Sequence, residues 1–152
     1  MKIKLVILLI FFTSLKLIAA ATLDGTWQGT GQLRIKGQSV TENCQMYLVI
    51  TQSDIEFSVI KSDFKCPSMH IKNKEQNKLT INNHRLYFNN IERGYIDDST
   101  MYSYFNTAAG LIQSYLMKYT DEEQSLVYSD SIDWNPTFST QLNGRLRRIN
   151  TP

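Results

Sequence analysis

Residues that do chemistry are scarce in this chain. Its 152 residues include two cysteines and two histidines. Cys44 and Cys66 lack CxxC spacing, and neither His70 nor His84 stands at ligand spacing with them, so no metal centre or redox pair is indicated. The Gly-x-Ser-x-Gly elbow, the His-Glu-x-x-His helix and a phosphate-cradling glycine loop are all absent. Asp97-Asp98 and Asp121-Glu122-Glu123 are adjacent acids in expected loops. They offer neither the separated carboxylates of a glycosidase nor the spaced oxygens of a calcium loop. No catalytic residue and no cofactor is therefore assigned. A strong excess of charge is missing as well. The chain has 16 basic and 14 acidic residues, and Lys2, Lys4 and Lys16 all precede residue 22. From residue 22 onward, 13 basic side chains face 14 acidic ones. That balance excludes the basic stripe of a nucleic-acid binder, and the cluster Arg145, Arg147, Arg148 is too small to reverse it. There is no Asn-x-Ser/Thr sequon, which leans toward a bacterial envelope or secreted protein. Linkers, repeats and low-complexity stretches are also missing, and one domain's length of chain remains.

Nor is there an apolar run long enough to span a bilayer, which takes about 20 residues. The longest, residues 5–12, follows Lys2 and Lys4 and precedes the small residues Ala19, Ala20 and Ala21. This is the three-part pattern of a cleavable export signal. Cleavage after Ala21 or after Ala20 suits the small-residue rule. The expected organisation is a signal over 1–21 and a single domain over 22–152, acting in the periplasm or outside the cell. An exported protein sits where disulfides persist, so Cys44 and Cys66 are expected to pair.

What the chain does have is alternation. Across residues 23–35 the odd positions are Leu23, Gly25, Trp27, Gly29, Gly31, Leu33 and Ile35, and the intervening positions are polar. Period two marks a strand with one buried face. Glycine on that face implies a bend or a close backbone approach. Residues 43–52 and then Ile55, Phe57 and Val59 read as a hairpin that brings the two cysteines together at its open end. Short units follow at 69–71, 79–81, 86–88 and 91–96, then an aromatic-rich strand at 100–106. Residues 111–119 fit either period and are read as a strand in this context. Strands at 125–132 and 141–149 flank a turn at Trp134-Asn135-Pro136. Eight to ten short strands at even spacing predict an all-β, antiparallel up-and-down barrel.

Gly25-Thr26-Trp27, at the start of the first strand, resembles the Gly-x-Trp signature of lipocalins and their calycin relatives. The resemblance implies that Trp27 closes one end of a barrel, with a basic residue from the end of the last strand packed across it. Arg148, on the apolar parity of that strand, is the candidate; Arg145 and Arg147 are less well placed. The longer string from Gly25 to Gly31 is similar to the opening of nitrobindin-like barrels. Those hold haem through a late histidine, and no histidine follows His84 here, so haem is not carried over. A Gly-Thr-Trp opening also occurs in avidins, without a matching polar ligand set here. Eight tyrosines lie after residue 22, and Tyr102 and Tyr104 are candidates to line a ligand cavity. Two functions are in view. One is a non-catalytic carrier of a small hydrophobic ligand. The other is an envelope or secreted protein-interaction module, an inhibitor or assembly factor acting through its loops.

Overall fold

The computed structural model describes residues 22–39, 41–73, 78–106, 110–121, 123–135 and 138–149. The expected export segment, 1–21, lies outside them. Eleven strands run in chain order: β1 (Gly25–Ile35), β2 (Thr41–Gln52), β3 (Glu56–Lys65), β4 (His70–Asn73), β5 (Leu79–Asn82), β6 (Arg85–Phe88), β7 (Ile91–Ile96), β8 (Thr100–Asn106), β9 (Ile112–Thr120), β10 (Ser125–Asn135) and β11 (Phe138–Ile149). No helix occurs among the described residues. Sequence neighbours other than β4 and β5 pair antiparallel, and β1 pairs with both β2 and β11. β3 pairs with β2 and with β5, so ten strands close on themselves, and β4 adds an eleventh strand against β3. The molecule is an all-β, antiparallel up-and-down barrel of calycin type. Closure leaves the ten barrel strands no free edge.

Local sequence explains the construction. In β1, Trp27 and Leu33 are buried while Gln28, Thr30, Gln32 and Arg34 are exposed. The inward glycines admit neighbours that a side chain would exclude. A Cβ on Gly31 would strike Met46 Sδ and come 2.5 Å from the Asn143 carbonyl oxygen. Gly144, opposite it in β11, clears the same methionine. Met46 of β2 therefore fills the space that two facing glycines leave. The β5–β6 and β6–β7 connections are two-residue turns. Asn83 and His84 have φ of 48° and 61°, and Asn89 and Asn90 have φ of 50° and 63°. Positive φ at both positions suits a twisted hairpin, and asparagine tolerates it better than most residues.

β3 is longer than its alternation suggests. Val49 pairs with Lys61 and Ile50 with Val59, so Ile60 bulges out and is exposed. The bulge switches the inward parity from Phe57 and Val59 to Ser62 and Phe64. The β2–β3 register places Cys44 beside Cys66, and the two form a disulfide with Cα atoms 4.3 Å apart. β10 runs through Asn135 and β11 starts at Phe138. Trp134 and Asn135, expected in a turn, are instead the end of β10, and Pro136 lies outside the described residues.

Core side chains fill the barrel unevenly. On the side of β1, β2, β10 and β11, Met46, Leu48, Leu126, Leu142 and Leu146 are all buried. Phe64 reaches from β3 to the Tyr128 ring on β10, with centroids 5.4 Å apart. On the side of β3 and β5 to β9, Phe57, Leu79, Leu86, Ile96, Met101 and Met117 are buried too, and a cavity opens among some of them.

Candidate functional site: a sealed end and an open cavity

One end of the barrel is closed by Trp27. Its indole is fully buried, and Nε1–H donates to the Leu23 carbonyl at 2.9 Å. Arg148 is the direct cross-strand partner of Trp27. Its guanidinium carbon lies 4.8 Å from the Trp27 ring centroid and 5.9 Å from that of Tyr119. Nη2 donates to the Thr22 carbonyl at 2.6 Å. Tyr119 meets Trp27 edge-on at 5.9 Å. A guanidinium over an indole is worth about 0.5–2 kcal/mol, and here it also ties down the chain before β1. Arg145 and Arg147 pair with Thr30 and Gln28 on the outer parity.

From the other end, a cavity of about 500 Å³ enters the barrel. Its apolar wall includes Phe57, Val59, Leu79, Phe88, Met101 and Met117, and the exposed Asn73 and Asn106 mark its mouth. β8 and β9 supply inward rows in register: Met101 opposite Met117, Ser103 opposite Tyr115, Phe105 opposite Gln113. Phe105 packs edge-on against Phe88 at 6.0 Å and Tyr115 at 6.3 Å. The volume lies within the range of about 300–1,000 Å³ usual for small-molecule sites.

Arg93, Ser103, Gln113 and Tyr115 interrupt this apolar wall. Arg93 lines the cavity with its guanidinium carbon 5.5 Å from the Phe105 centroid. Its Nε is buried and has no hydrogen-bond partner. Behind the wall, Asp130 sits on the inward parity of β10, opposite Tyr115. Gln113 Nε2 donates to Asp130 Oδ1 at 3.3 Å, and the Tyr128 hydroxyl stands 3.5 Å from Oδ2. Burial pushes the Asp130 carboxyl up to about 6, with the two hydrogen bonds opposing. The Tyr115 and Tyr128 hydroxyls are raised too, first by burial and then by the nearby Asp130 charge. The set supplies hydrogen-bonding capacity inside an apolar chamber but holds no nucleophile aligned with a base.

Tyr102 and Tyr104 do not line this cavity. Inward parity on β8 belongs to Met101, Ser103 and Phe105, so the two tyrosines stand on the outer wall. There Tyr102 lies 5.7 Å from Tyr95 and 6.4 Å from Tyr104, ring centroid to centroid. Sequence reasoning missed Arg93, Gln113, Tyr115 and Asp130. The signal for Asp130 was present: it shares parity with Leu126, Tyr128 and Ile132, an acid on an apolar face. Arg93 carried no such signal, because a register shift between Leu86 and Tyr87 interrupts the local pattern.

The remaining candidates have local roles. His70 Nε2 lies 2.8 Å from Asp63 Oδ1 on the outer wall, and this bond holds the Asp63 carboxyl below its usual value. Asp97 accepts from the backbone N–H groups of Ser99 and Thr100 at 2.9 and 2.6 Å, which shapes the β7–β8 turn. His84 occupies the exposed β5–β6 turn. Glu123 pairs with Arg145, and Glu122 lies outside the described residues. The sequence matches no known family model and no characterised protein.

Proposed function

We propose that this protein is an exported, non-catalytic carrier that holds a small hydrophobic ligand inside its barrel. The observation that carries the reading is the cavity of about 500 Å³ that opens into the barrel among Phe57, Val59, Leu79, Met101 and Met117, a wall mostly apolar and of a size usual for small-molecule sites. Among the described residues Trp27 closes one end and the cavity opens toward the other, which suits uptake and release through a single mouth. The Gly-x-Trp opening and its arginine partner agree with a lipocalin-like carrier, although fold alone does not fix function. Export is supported by the signal-like segment 1–21 and by the disulfide, which belongs to oxidising compartments.

The test is uptake of a neutral, environment-sensitive dye, Nile red, by the native protein and by Val59→Trp. Val59 is buried in the cavity wall, and a larger side chain there occupies the chamber. The carrier reading expects saturable 1:1 binding to the native protein and its loss in the folded variant. Equal dye binding by both would refute it.

One observation favours a second reading, a protein-interaction module. Tyr95, Tyr104 and Leu116 are exposed on one stretch of outer wall, with Tyr102 between them. This reading takes the wall, in place of the expected loops, as the contact surface. An affinity pull-down from envelope extract that loses its partner on Tyr104→Ala would support it.

A further inference from the structure

The unpartnered arginine in the cavity narrows the ligand class, and this step rests on the carrier reading above. An arginine inside a protein normally spends its donors on carboxylates, carbonyls or water, and a buried donor left unmade costs free energy. Arg93 Nε has no such partner. Asp130, the acid on the inward parity of β10, takes its hydrogen bonds from Gln113 and Tyr128. Glu92, the sequence neighbour of Arg93, is engaged by Arg85 at 3.3 Å on the outer wall. Arg93 is the one cationic side chain among the described residues of the cavity wall.

Its position is equally informative. β7 begins and β8 ends at the mouth, so Arg93 and Phe105 stand near the opening, beside the exposed Asn106. The deeper wall is Met101, Met117, Phe57 and Leu79. The guanidinium packs against the Phe105 ring, which limits its orientations without consuming a donor.

We infer that the cavity takes an apolar chain ending in an anionic oxygen group, with the chain in the barrel and the head on Arg93. A carboxylate and a phosphate monoester share this chemistry. Each would accept from the outer nitrogens of the guanidinium, which no ion pair or hydrogen bond engages among the described residues, in a charge-assisted bond in a partly desolvated site.

The experiment is displacement of Nile red by decanoate, decyl phosphate and 1-decanol, which share one chain length and differ in head group. It compares the native protein with Arg93→Met, which keeps an apolar stem against Phe105 and removes the charge. The expected result is that at least one anion binds about tenfold more tightly than decanol, the scale of one charged hydrogen bond. That preference should vanish in Arg93→Met while decanol affinity is unchanged. Whichever anion holds the preference identifies the head group. If decanol binds the native protein as well as both anions, the inference is overturned and the carrier reading stands. A preference that survives Arg93→Met would overturn it too. If no dye enters the native protein at all, the carrier reading itself fails. If Arg93→Met does not fold, Arg93→Gln makes the same comparison, and a preference that survives there overturns the inference equally.

Discussion

Replacing Asp130 with asparagine should make the protein more stable at neutral pH and not at acid pH. The carboxyl is largely buried, and burial raises it from 3.8 to about 6. Between those two values the folded state keeps a proton that the unfolded chain has already lost. Stability therefore falls as pH rises through the window from about 4 to 6. A shift of about two units corresponds to about 3 kcal/mol lost once both states are ionised. Asparagine cannot ionise, so it escapes this loss. It also keeps an oxygen acceptor for Gln113, while the 3.5 Å contact with Tyr128 is too long to contribute much. Urea denaturation at pH 7.5 and at pH 4 gives the comparison, since every other titrating group cancels between the two proteins. Asp130→Asn should exceed the native protein by about 2–3 kcal/mol at pH 7.5 and lie within about 1 kcal/mol of it at pH 4. The same stability difference at both pH values would show that Asp130 is ionised as freely in the fold as out of it, and would refute the reasoning.

Three further outcomes follow from the packing. Gly144→Ala should cost about 1–3 kcal/mol through overpacking against Met46, and most of that cost should disappear on a Met46→Ala background. Strict additivity in the double-mutant cycle would contradict the contact between Gly144 and Met46. Arg148→Ala should lower the midpoint of urea unfolding, and near-ultraviolet circular dichroism should report a freer Trp27; an unaltered spectrum would argue against the seal. Cys44→Ser should lower stability by about 3 kcal/mol under oxidising conditions and match the native protein once both are reduced. Equal melting of the mutant and the oxidised native protein would contradict a stabilising role for the bond.

Much of the architecture was legible before the structure. The alternation through residues 23–35 located β1 and its buried face, because a half-buried strand must repeat every two residues. The inward glycines were read as marking a close approach, which Met46 against Gly31 and Gly144 now accounts for. Residues 111–119, ambiguous by period, are the strand β9. The packing of a basic residue across Trp27 is what the Gly-x-Trp resemblance implies, and the apolar parity of the last strand points to Arg148, which lies 4.8 Å from the indole. Other features were hidden for definite reasons. The bulge at Ile60 inverts the parity of β3, so Phe64 could not be assigned to the interior by extending Phe57 and Val59. Tyr102 and Tyr104 draw attention by residue type, yet polar Ser103 between Met101 and Phe105 hides which parity faces inward. Polar residues in strands read as outward by default, and Arg93 and Gln113 are the inward exceptions that give the cavity its chemistry.

The most direct test of the central claim is native mass spectrometry of the protein purified gently from an exporting host. The carrier account expects a species heavier than the oxidised chain by one discrete small-molecule mass, and expects that species to be missing from Val59→Trp. A native protein that appears only at its bare mass, and that also fails to take up Nile red afterwards, would contradict the account.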